Sequence, residues 1–133
     1  MATKNQQTGM QGVFLVAAEL AKRGYIASPT SRSSIGADIL VTDQDCQNAY
    51  SVQVKTNKRT FSFWLLNKHS KTIKAKSHVY VLVNLKRDII EYFVVPSKIV
   101  SDKMSIEKHK DNTWYSFSYK DAVPYRDKWE VFK

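Results

Sequence analysis

Three polar side chains at set spacing are the chemically suggestive feature of this 133-residue chain. Asp38 precedes the apolar run Ile39-Leu40-Val41, fourteen residues separate it from Gln53, and Lys55 follows Gln53 after a single valine. An acid, an amide and an amine gathered in one place suit hydrolysis of a phosphodiester. That reaction needs the charge building on phosphorus neutralised and a water deprotonated nearby. Mg²⁺ serves both needs through oxygen ligands, typically one or two carboxylates plus waters. Asp38, the Gln53 amide oxygen and the Val54 carbonyl are suitable donors. A lysine two residues from a ligand, on the same strand face, can orient the water or stabilise developing charge. The ordinary polar face of a hairpin is the equal alternative, because such a trio is common by chance.

A hairpin would bring the trio together. Residues 35–41 form a short apolar, β-branched run, and residues 51–56 alternate, with Val52 and Val54 on one face and Gln53 and Lys55 on the other. Between them residues 42–48 are rich in turn formers. Upstream, Met10, Val13, Phe14, Val16, Ala17, Leu20 and Ala21 recur at helical spacing over residues 9–23, with Gly24 as the stop. Residues 1–8 read as a disordered leader, residues 25–27 as a short strand and residues 28–34 as a polar loop whose Arg32 suits a phosphate. Downstream, residues 60–66 alternate as a strand, residues 67–76 form a basic loop or short helix, and residues 78–83 and 90–95 pair as a second hairpin. Pro96 opens a helix in its first turn, residues 104–113 are polar, residues 114–118 form a further strand, and Asp121 caps a final segment that docks Trp129, Val131 and Phe132 on the core. This predicts one α/β domain over residues 9–133.

Charge narrows the partner. The formal net charge is +9, and residues 46–87 contain no Asp or Glu but carry nine basic residues. A solvated face is the ordinary reading of a charge run, whereas one this long without an acid favours a polyanion, and nucleic acid first among polyanions. Lys58, Arg59, Lys68, His69, Lys71, Lys74 and Lys76 are its candidate contacts. No apolar run approaches the roughly 20 residues that span a bilayer, and no signal-peptide core is present. A cytoplasmic protein without a membrane partner is expected. The single Cys46 lacks a zinc or disulfide partner and reads as a surface thiol. Of Trp64, Trp114 and Trp129, core packing suits at least two, and base stacking is the other use for such rings.

The succession of helix, Gly36-Ala37-Asp38 at a strand start, hairpin and Gln53-Val54-Lys55 resembles the PD-(D/E)XK nuclease superfamily, most closely its small Holliday-junction-resolvase-like and restriction-endonuclease-like members. Residues 79–83, 92–96 and 125–130 share the likeness. It implies a mixed α+β sheet with a core of helix, three strands, second helix and strand, extended here by C-terminal strand and helix additions. It also implies a metal-dependent endonuclease acting on DNA. Asp38 then matches the metal-binding acid, Gln53 the second acid position and Lys55 the catalytic lysine, with Mg²⁺ or Mn²⁺ as cofactor and a homodimer as a plausible assembly. Gln53 removes one negative charge from that pattern. The early Gly-Glu pair of such relatives is Gly12-Val13 here, which leaves Glu19 as the helix carboxylate, with an ion pair to Arg23 as its structural alternative. The rival expectation is a catalytically weak or inactive nucleic-acid-binding module on the same fold.

Overall fold

The chain begins with a long helix, α1 (Lys4–Lys22), whose start is written in its first residues. Thr3 accepts from the Gln6 backbone at 3.1 Å while the Gln6 side chain accepts from the Thr3 backbone at 2.9 Å, a reciprocal cap that satisfies two otherwise orphaned N–H groups. The helix therefore starts five residues before the expected residue 9, and residues 4–8 are its first turns, not a leader. Gly12, Val16 and Leu20, spaced by four, form its buried stripe. In the computed structural model residues 3–31 and 36–132 are described, so the Arg32 expectation lies outside the described residues.

Strands β1 (Ile26–Pro29), β2 (Ile39–Thr42) and β3 (Ala49–Asn57) form an antiparallel meander beneath α1. The β2–β3 turn is organised by Asp43, whose carboxylate accepts from the Gln47 N–H at 2.8 Å and the Asn48 amide at 2.9 Å. Cys46 sits exposed in that turn in a left-handed conformation. The chain then passes through β4 (Phe63–Leu66) and a four-residue helix, α2 (His69–Thr72), before β5 (His78–Leu85) returns parallel to β3. All eight residues of β5 are buried, as its continuous apolar run requires. Strand β6 (Ile90–Pro96) pairs antiparallel with β5, which completes a five-stranded mixed sheet ordered β1-β2-β3-β5-β6.

The sheet separates two cores. Val52, Val54, Val79, Val81 and Val83 face α1, together with Trp129 and Phe132 from the C-terminal turn (Trp129–Phe132). Tyr80, Leu82, Phe93 and Val95 face the other way, onto Trp64, Phe117 and Val100. That second layer contains helix α3 (Ser97–Lys103) and a separate three-stranded sheet in which β8 (Thr113–Ser118) lies between β4 and β7 (Ser105–Lys108). Pro96 is the residue before α3, not part of its first turn. The polar stretch after Met104 contains β7, which alternation alone does not mark because Ile106 is its single large apolar residue. Ser118, not Asp121, caps the last helix, α4 (Tyr119–Ala122): its hydroxyl accepts from the Asp121 N–H at 3.2 Å. Buried Glu91 fastens the C-terminal segment to the sheet through Lys86 at 2.9 Å, Arg126 at 3.1 Å and the Tyr119 hydroxyl. Burial alone would raise the Glu91 pKa, but the bonds from Lys86, Asn84 and Tyr119 outweigh it and hold the carboxyl low. Among the described residues no helix is long and apolar enough to cross a membrane.

Candidate active site

The β2–β3 register pairs Ile39 with Val52, and continuing it one step places Asp38 opposite Gln53. The Asp38 N–H donates to the Val52 carbonyl at 2.7 Å. Directly paired residues share a sheet face, and β3 pairs Gln53 with Tyr80 and Lys55 with Leu82. Asp38, Gln53 and Lys55 therefore all lie on the face away from α1. The hairpin expectation thus holds, with the trio on one side of it.

Strand β2 starts at Ile39, so β3 outruns its partner at Val54. The Val54 N–H donates instead to the Asp38 carboxylate, at 2.8 Å to Oδ2. A strand residue sends its N–H and C=O to the same side, so the Val54 carbonyl also points toward the gap beyond the start of β2. The Asp38 carboxylate and the Val54 N–H and carbonyl thus meet at this gap, with Gln53 on the same sheet face as Asp38. Burial pushes the Lys55 ammonium below the ordinary lysine value, and the neighbouring Asp38 charge acts against that shift. An amine so held is closer to exchanging a proton near neutral pH than a surface lysine is.

The approach to Asp38 is clamped. Gly36 has φ +78°, and a Cβ there would stand 3.0 Å from the Ile73 side chain, so only glycine suits the position. Its carbonyl bonds the His78 ring at Nε2, and the Ser97 hydroxyl bonds the same ring at Nδ1. With Gly36 O as an acceptor, Nε2 carries the proton and Nδ1 accepts from Ser97. Burial lowers the His78 pKa, opposed by its bond to Gly36 and by the Asp38 charge. On the other side the Thr30 N–H donates to the Asp38 carbonyl at 2.9 Å, and the Thr30 hydroxyl donates to Ala37 O at 2.6 Å. Sequence reasoning missed His78 and Ser97. The signal available was a histidine opening the otherwise apolar run of residues 79–83.

Glu19 is not brought to this cluster. It stands on α1, across the sheet, where Arg23 holds its carboxylate at 2.8 Å and Lys22 lies at 3.9 Å. The ion-pair alternative is the observed one. Among the described residues no group of three or more His, Cys, Asp or Glu side chains gathers in a way that could hold a metal ion. Any cation here would lean on a single carboxylate and neutral oxygens.

The basic candidates divide. Lys55, Lys58 and Arg59 line an open groove of roughly 1010 Å³ between the start of α1 and β4, joined by Lys4, Phe63 and Leu65. Lys68, Lys74 and Lys76 are exposed around α2, and His69 is half-buried in it. Lys71 is structural. Its ammonium donates to the Ser101 carbonyl at 2.9 Å while the Ser101 hydroxyl donates to Lys71 O at 2.6 Å, which pins α2 to α3. Trp64 and Trp129 are core residues, whereas Trp114 is 48 % exposed.

No known family profile matches the chain, and no curated protein matches it. Among solved structures it is similar to a Holliday junction resolvase of the archaeal hyperthermophile Archaeoglobus fulgidus, at 13% identity and a TM-score of 0.55 over 87% of this chain and 93% of that one. It is also similar to a bacterial homing endonuclease, at 14% identity and a TM-score of 0.62 over 98% of this chain and 91% of that one. The restriction-endonuclease-like fold expected from the sequence is the fold observed.

Proposed function

On this nuclease fold, we propose that the chain is a divalent-metal-dependent endonuclease acting on DNA. The observation that carries the reading is Lys55, half-buried with a lowered pKa beside Asp38, at the point where β3 outruns β2. The donors there fit a hard cation such as Mg²⁺ or Mn²⁺: Asp38 is the carboxylate, the Gln53 amide and Val54 carbonyl are neutral oxygens, and waters would complete the set. Bound there, the cation would supply Lewis-acid polarisation of the phosphate and a more acidic water. The chain's own residues do the rest. The Val54 N–H fixes the Asp38 carboxylate where β3 outruns β2. Lys55 orients the attacking water and stabilises the charge growing on phosphorus. Lys58 and Arg59 hold the strand's backbone along the groove. Cutting both strands of a duplex would call for a second copy of the domain.

Plasmid nicking separates cutting from binding. Wild type should convert supercoiled DNA to open circles with Mg²⁺ or Mn²⁺, and Asp38→Ala and Lys55→Ala should each lose the activity by about 100-fold or more while still binding DNA. A second reading, a binding module without catalysis, draws on Gln53 and the single carboxylate. It predicts retained DNA affinity and no nicking by wild type with either metal, and that outcome would replace the enzyme.

A further inference from the structure

Resting on the nuclease reading and deepening it, we infer that the groove beside Lys55 takes an unpaired stretch of DNA. The sugar-phosphate backbone lies on Lys4, Lys58 and Arg59, and the bases lie on the outer face of the β4–β8–β7 sheet. That face is unusual for its apolar content. Strand β4 seals Trp64 completely but leaves Phe63 and Leu65 open, at 37 % and 51 %. Across the strand these two meet Ser118 and Ser116, which are too small to cover them. Trp114, two residues before Ser116 and on the same face, is a diagonal neighbour of Leu65 at a spacing of about 7–8 Å. Three large apolar side chains thus form a row, and its Phe63 end opens into the groove with the cations.

The charge around the row selects its occupant. Among the described residues, no Asp or Glu lines the groove. The outer face of these three strands carries a single carboxylate, the exposed Glu107 opposite Trp114, with His109 Nε2 3.5 Å from it. A second copy of a chain with net charge +9 would bring its own cations against Lys4, Lys58 and Arg59, which disfavours self-association there. A DNA strand brings the opposite charge. Duplex DNA hides the faces of its bases, so an apolar row beside a cationic track gains little from it. An unpaired strand exposes phosphate on one side and base faces on the other, and stacking accepts any base.

The test uses the full chain and two fluorescein-labelled probes, a single-stranded oligothymidylate and a duplex of equal length. Leu65→Ala and Trp114→Ala should each weaken oligothymidylate binding by about tenfold while leaving duplex binding within about twofold. Unlabelled oligothymidylate should quench tryptophan emission in wild type but not in Trp114→Phe, since Trp64 and Trp129 are buried. Equal losses for both probes, or no loss for either, overturn the inference. Salt-sensitive duplex binding without oligothymidylate binding overturns it and leaves the nuclease reading standing, whereas no binding to either probe overturns both. A concentration-dependent dimer abolished by Trp114→Ala would assign the row to a second copy and overturn it as well.

Discussion

Half-buried Lys55 and buried His78 are two bases near one carboxylate, and they act in opposite ways. Lys55 reaches the groove, where a lowered pKa has chemical use. His78 is closed in between Gly36 and Ser97 and holds the backbone that presents Asp38. Its lowered pKa makes stability depend on pH in a definite direction. Between the folded value and the ordinary 6.5, the unfolded chain carries a proton that the folded chain does not. Stability therefore rises with pH through that window and levels off above it. Urea midpoints from about pH 5 to 8 should show this rise in wild type and a flatter profile in His78→Asn, whatever the overall loss from the missing hydrogen bonds.

At the scale of elements, alternation in residues 51–56 is enough to put Gln53 and Lys55 on one face, and turn chemistry around Asp43 is enough to pair them with Asp38. Which face lies beneath α1 is not in the local pattern. It follows from tertiary packing, where Gly12 meets Thr56 so closely that a Cβ at position 12 would overlap the Thr56 hydroxyl oxygen. That contact sets the rotation of α1 and sends Glu19 to the far side. Gly12→Ala should therefore cost about 1–3 kcal/mol as the helix is pushed off the sheet. Gly9→Ala meets nothing within 4 Å and should add about 1 kcal/mol through helix propensity. Thermal melts of the pair check both signs, and a neutral Gly12→Ala would refute this packing. The early start of α1 was legible in Thr3 and Gln6. The separate β4–β8–β7 sheet was not, because strand alternation does not say which strands pair.

At the scale of the molecule, the acid-free middle third is not one uniform surface. Lys55 belongs to the candidate site, Lys71 pins α2 to α3, and Lys86 neutralises buried Glu91. Lys58, Arg59, Lys68, Lys74, Lys76 and Arg87 remain exposed, and the first two line the groove. Lys58→Glu with Arg59→Glu should weaken binding to all DNA sequences alike and reduce the salt dependence by about one phosphate contact per charge removed. An unchanged salt slope would move the footprint elsewhere. The proposed cation site, where Asp38, Gln53 and Val54 offer their oxygens as β3 outruns β2, is open to direct observation. Anomalous diffraction from crystals soaked in Mn²⁺ should show a metal peak within about 2.0–2.6 Å of an Asp38 oxygen, facing the Val54 carbonyl. A well-ordered site with no peak there, or with the cation held by other residues, would contradict it.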